Sequence, residues 1–176
     1  EDECIITASE NDANILFLGP FIKPIALIGH KQGINCVTYD PNNNIIATSS
    51  RDNTIRLWDG RSGNDIAVFR GGNGIFTGVI FSHDGSALAA INNNGTVLIW
   101  DTNPWPSSTV INRIDDPIAY TNFSPDGKMV TTLSKKNFLK KWDVSSGKYL
   151  LERANNIYFN SGISTDINFP YILFGD

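Results

Sequence analysis

His30, Thr48, Ser50 and Asp52 are side chains of this sequence whose types fit catalytic chemistry. A carboxylate that orients a histidine, and a histidine that takes a proton from a hydroxyl, together make a nucleophile for hydrolysis. That chemistry also needs an oxyanion hole, and nothing in the sequence marks one. The same side chains serve equally in a buried hydrogen-bonded chain, which is favourable when every member finds a partner. The elements that carry them decide between the two.

Those elements repeat. Trp58, Trp100 and Trp142 recur at an interval of 42 residues, and each is followed at once by an aspartate: Asp59, Asp101 and Asp143. The same interval links Tyr39, Phe81 and Phe123, and the turns Asp40-Pro41-Asn42-Asn43, Ser82-His83-Asp84-Gly85 and Ser124-Pro125-Asp126-Gly127. Within one unit, residues 34–39, 45–48, 54–58 and 66–69 are short runs rich in branched and aromatic side chains, which predicts four strands. A four-stranded sheet cannot bury both faces alone, and radial stacking on its neighbours is the economical solution. The expected fold is therefore all-β, a β-propeller of four-stranded antiparallel blades.

Gly29-His30 and the stretch Asp52-Asn53-Thr54-Ile55-Arg56-Leu57-Trp58-Asp59 resemble the glycine-histidine and tryptophan-aspartate signatures of the WD-repeat family. The resemblance covers essentially the whole chain. It implies a structural network of His30, Thr48 or Ser50, Asp52 and Trp58 that ties the loop entering a blade to its inner strands. It therefore favours a non-enzyme, with no cofactor and no metal. At the corresponding places the next unit holds Gly72, Asn94 and Trp100, and the following one Ile114, Lys136 and Trp142, so both of those networks are expected to be broken. The leading unit, with Asn11 and Phe17, is degenerate too. The units are assigned as a partial blade at residues 1–29, blades at 30–71, 72–113 and 114–155, and the start of another at 156–176, all in one domain. A seven-bladed ring at this period needs roughly 300 residues, and the chain has 176. Residues 3–9 and 170–176 both match a second strand. The expectation is an excerpt of a seven- or eight-bladed ring, completed by missing blades or by a second chain.

Composition fits a turn-rich globular domain, with 41% hydrophobic and 18% charged residues, 15 glycines and 8 prolines. The net charge of −4 argues against sequence-independent binding to a nucleic acid backbone, where a basic footprint is expected. No apolar run approaches the length of a membrane helix. Cys4 and Cys36 lie in strands of successive units and read as reduced core thiols, which favours an intracellular location. His83 stands in a turn where sister units have Pro41 and Pro125, and reads as a solvated turn residue.

The strands of a propeller are committed to packing, so function falls to its loops and ring faces. Just before the aspartate place stand Glu10, Arg51, Asn93 and Lys135, and near the start of the inner strand stand Asn35, Thr77 and Ala119. The resemblance implies that these positions rim a face that receives peptides. Their variation from unit to unit suits recognition, although turns tolerate most polar residues. Arg51 can fork onto a carboxylate or phosphate. Trp105, held between Pro104 and Pro106, is the tryptophan off the repeat and offers a partner contact on the opposite face. The run from Lys135 to Lys141 suits an acidic partner or a phospholipid head group, or simply a solvated rim. The expected function is a non-catalytic scaffold for protein or peptide partners in an assembly. The alternative is the substrate-docking or sensing part of a larger enzyme.

Overall fold

The computed structural model describes residues 4–8, 12–17, 25–40, 42–70, 74–102, 107–111, 117–136, 138–154, 163–164 and 173–174. Of these, residues 4–8, 12–17, 107–111, 151–154, 163–164 and 173–174 are described by their backbone.

Strands β1 (Cys4–Ala8), β2 (Asp12–Phe17) and β3 (Ile25–Ile28) form a three-stranded antiparallel sheet. Three four-stranded antiparallel sheets follow in chain order. The second sheet is β4 (Ile34–Asp40), β5 (Ile45–Ser50), β6 (Thr54–Asp59) and β7 (Asp65–Arg70). The third is β8 (Phe76–Phe81), β9 (Ala87–Asn92), β10 (Val97–Asp101) and β11 (Ser107–Ile111). The fourth is β12 (Ile118–Phe123), β13 (Met129–Ser134), β14 (Phe138–Asp143) and β15 (Tyr149–Ala154). Finally β16 (Ile163–Ser164) pairs with β17 (Leu173–Phe174). Each strand pairs with its sequence neighbour, the meander expected of a blade.

Burial shows how the sheets are used. The middle strands β5 and β9 are buried along nearly their whole length, whereas the outer strand β7 is mostly exposed. A strand buried on both faces needs a neighbour on each, and the adjoining sheets supply them. Phe69, Leu57 and Ile55 of the second sheet pack against Phe76, Leu88 and Trp100 of the third. Ile91, Val97 and Ile99 of the third pack against Phe123, Val130 and Trp142 of the fourth. Trp58 meets Leu27 of the first sheet. Each repeating tryptophan therefore faces the preceding sheet.

The aspartates after Trp58 and Trp142 serve the next turn. Asp59 accepts hydrogen bonds from the Arg61 and Ser62 amides and the Ser62 hydroxyl, while Asp143 accepts from the Ser146 amide and the Ser145 and Ser146 hydroxyls. These donors hold both carboxyls below the usual carboxylate range, Asp143 at about 2. The turns between first and second strands also meet across the sheet boundary. Gly85 has φ +71°, and a Cβ there would lie 2.5 Å from Asp40 Oδ2 of the second sheet, so the close approach requires glycine.

Cutting Phe69 back to alanine removes the ring stacked 5.2 Å from Trp100 between two sheets. Phe69→Ala should cost about 3–5 kcal/mol in urea unfolding. A loss well under ~1 kcal/mol would show that the sheets do not depend on this seam.

Candidate functional site

Alternating strand direction sorts the connections. The turns after β5, β9 and β13 lie at the same end as the starts of the inner strands β4, β8 and β12, and the remaining turns lie at the other end. Contacts between sheets keep these ends in line: Asn35 Nδ2 donates to the Phe76 carbonyl at 2.6 Å at the first end, and Asp40 meets Gly85 at the second.

At the first end every inner strand carries an irregularity. The pairing of β4 with β5 steps from Ile34↔Ser50 to Cys36↔Ser49, leaving Asn35 as the extra residue. The same step leaves Thr77 in β8 and Ala119 in β12. A bulge re-aims the side chain at the extra position, and Asn35, Thr77 and Ala119 are all exposed. Facing them stand Arg51, Asn93 and Lys135, also exposed. Their amides donate to the carbonyls of Gly33, Ile75 and Pro117 at 2.9, 2.9 and 2.8 Å, each the residue before an inner strand begins. Six positions singled out in the sequence thus come together on one end of three sheets, in two repeating sets. The bulge that exposes one set carries no signature of its own in the sequence.

The side chains there are unequally engaged. Asn35 is a bridge: it donates to Phe76, and its Oδ1 accepts from Arg51 Nε at 3.3 Å. Asn93 Oδ1 accepts from the Ile75 amide at 3.0 Å. Lys135 and Lys136 lie exposed in the turn, whereas Lys140 and Lys141 are half-buried on β14, with Lys140 Nζ 5.8 Å from the centre of the Tyr149 ring. The lysine run of the sequence is therefore not a single patch. Glu10, Gly72, Trp105 and Ile114, and the side chains of Cys4 and Phe17, lie outside the described residues.

Beneath this end lies the histidine network. Trp58 Nε1 donates to Thr48 Oγ1 at 2.9 Å, and Thr48 Oγ1 meets His30 Nε2 at 2.7 Å. His30 Nδ1 meets Asp52 Oδ2 at 3.0 Å. Asp52 also accepts from the Lys31 and Thr54 amides and the Thr54 hydroxyl. A consistent proton assignment follows, with Thr48 donating to Nε2 and a neutral His30 donating from Nδ1 to Asp52. Burial lowers the His30 pKa and outweighs the attraction of Asp52. For Asp52, burial pulls upward, but the hydrogen bonds from Thr54, Lys31 and His30 prevail and hold it at about 2. Thr48 is 0% exposed and already accepts from Trp58, so no substrate carbonyl can reach its hydroxyl. Of the two hydroxyls considered, Thr48 is the histidine's partner. Ser50 instead donates to the Gln32 carbonyl and accepts from the Asp52 amide, pinning the same loop.

The other sheets correct one expectation. The fourth keeps half of the network, for Trp142 Nε1 donates to Thr132 Oγ1 at 3.2 Å. Thr132 stands two repeats after Thr48, a match that counting histidines and aspartates overlooks. The third has Ala90 at that place. Its Asn94 retains the local role of Asp52, accepting from the Thr96 amide and hydroxyl.

A family model described as WD domain, G-beta repeat matches residues 22–59 and 63–101, the units that contain Trp58 and Trp100. The chain belongs to the WD40 repeat family. A bromodomain and WD repeat-containing protein of Dictyostelium discoideum is 23% identical over 168 residues, covering 91% of this chain and 8% of that protein. WD repeat-containing protein 1 of Gallus gallus is 32% identical over 102 residues, covering 55% of this chain and 17% of that protein. Periodic tryptophan protein 2 of Arabidopsis thaliana is 34% identical over 73 residues. The chain thus spans under a fifth of the length of these relatives. The three four-stranded sheets are WD40 blades. Two tryptophan-aspartate units fall within the family match, and the blade of Trp142 lies beyond it.

Thr48→Val orphans both Trp58 Nε1 and His30 Nε2, whereas Thr132→Val orphans Trp142 Nε1 alone. The first should cost roughly twice the second, with each orphaned group worth ~1–3 kcal/mol in denaturant unfolding. Equal losses would argue against the shared hydroxyl.

The pH dependence has a definite sign. As pH falls below 6.5 the unfolded chain takes up a proton that folded His30, with its lowered pKa, refuses, so stability falls. The melting temperature should therefore drop as pH falls through 6.5, and His30→Gln should flatten this drop. Asp52 contributes stability that is present in full above 3.8 and is lost as pH falls through about 2.

Proposed function

We propose that this chain is a non-catalytic WD40 scaffold that takes a protein or peptide partner on the bulged end of its blades. WD40 domains are typically interaction scaffolds, and the observation that carries the reading here is the repeated bulge. One backbone device presents Asn35, Thr77 and Ala119 at equivalent places, and three equivalent turns present Arg51, Asn93 and Lys135 beside them. A rigid frame with a different side chain at each station suits recognition of an extended ligand. The frame is rigid because the turn amides and the Asn35 bridge tie it to the blades.

A second reading has the same blades dock substrates for a larger protein. It is favoured by the length of the relatives, one of which carries a bromodomain in its name. Both readings use the same face and differ in what else the polypeptide contains. The intact mass of the natural polypeptide separates them, together with the sequence that flanks these blades.

A photo-crosslinking residue at exposed Thr77 should capture a co-purifying protein, while the same residue at Lys128, in a turn of the opposite end, should not. Capture at Lys128 alone would sink the assignment of this face. Arg51→Ala should weaken the Thr77 capture without moving the melting temperature.

A further inference from the structure

The bulged end has a sharper chemistry at the second blade than elsewhere. Lys31, Arg51 and Arg70 are exposed there. The Lys31 amide donates to Asp52 Oδ2 at 2.8 Å, the Arg51 amide donates to Gly33, and Arg70 pairs across from Thr54, two residues beyond Asp52. Three cations therefore share one corner of one blade. Its described carboxylate, Asp52, is fully engaged with His30, Thr54 and the Lys31 amide. The ion pairs His30 with Asp52 and Arg56 with Asp65 use none of these three cations.

Arg51 is also aimed. Its Nε donates to Asn35 Oδ1, and Asn35 is fixed in turn on the Phe76 carbonyl of the next blade. The guanidinium is thereby anchored by one nitrogen. Its two terminal nitrogens have no partner among the described residues, which leaves the fork open for a planar anion. The corner is small. The sequence puts Glu10 in the preceding unit and Asp115-Asp116 before Pro117 of the fourth blade, and seven aspartates occupy the turn ends of the opposite side: Asp40, Asp59, Asp65, Asp84, Asp101, Asp126 and Asp143. A long polyanion running past this end would approach that acidic side, while a single anionic side chain would not.

Building on the proposed recognition face, we infer that Arg51, with Lys31 and Arg70 beside it, receives one compact anionic side chain of a bound peptide, a carboxylate or a phosphate. Arg51 is the fork, Lys31 and Arg70 supply the field, and the bulge residues Asn35 and Thr77 flank the peptide backbone on the way to the third blade.

The test uses the full chain and three immobilised peptide pools with randomised flanks and a central phosphoserine, glutamate or glutamine. The phosphoserine or glutamate pool should retain the protein at least about tenfold better than the glutamine pool. Arg51→Glu should abolish that preference, and Arg51→Gln should reduce it. Tryptophan fluorescence checks that both variants remain folded. Retention by phosphoserine alone assigns the anion as phosphate, and equal retention by both anionic pools assigns a carboxylate site. Equal retention of all three pools, or a preference that survives both Arg51 variants, overturns the inference. Thr77→Trp then decides what else falls: lower retention on every pool leaves the recognition face standing, and unchanged retention removes it as well. Single-stranded DNA that displaces the protein from the phosphoserine pool more strongly than free phosphopeptide does would also overturn it, in favour of a nucleic acid.

Discussion

Everything in this chain depends on sheets burying one another's faces. A single four-stranded blade has two apolar sides and no means of covering either, so its stability comes from the seams. The repeating tryptophans are the largest side chains at those seams, and each lies against the sheet that precedes it. Phe69 against Trp100 shows the geometry, with ring centroids 5.2 Å apart across two blades. Once the seams are fixed, the ends of the strands are fixed too, and the turns become a surface.

Among the described residues the second blade carries the fullest polar network. His30 arrives on the connection from the first sheet and is locked from both ring nitrogens, to Thr48 on β5 and to Asp52 in the turn beyond. Ser50 and the Lys31 amide fasten the same loop. The fourth blade keeps the tryptophan–threonine bond, and the third keeps the short bonds of its asparagine turn. Loss of the histidine therefore strips each blade in steps. What remains is whatever a side chain can do within its own hairpin.

This graded locking bears on recognition. The loop that the histidine network holds carries Lys31, and the turn that it closes carries Arg51. The His30 network thus lies beneath the turn and loop that carry Arg51 and Lys31. A charged side chain on a fixed backbone loses little freedom on meeting a ligand. Arg51 gains further from Asn35, which belongs to both the bulge and the seam. Asn35 thus belongs at once to the packing of the blades and to the proposed recognition face.

The sequence alone determined the blade. Period, turn residues and apolar strand runs all act within a few tens of residues, so the four strands of residues 34–70 and the aspartate turns after Trp58 and Trp142 follow from local chemistry. It also determined that His30, Thr48, Asp52 and Trp58 stand at places that a repeat can bring together. Tertiary structure alone decided which hydroxyl His30 meets, because Thr48 and Ser50 sit on one strand two residues apart and only packing says which one the ring can reach. It alone showed the bulges at Asn35, Thr77 and Ala119, since an extra residue exists only relative to a paired strand. It divided the lysine run, exposing Lys135 and Lys136 in a turn while drawing Lys140 and Lys141 against the sheet. And it gathered Lys31, Arg51 and Arg70 into one corner, because residues far apart in the chain become neighbours only when antiparallel strands bring their ends to the same edge.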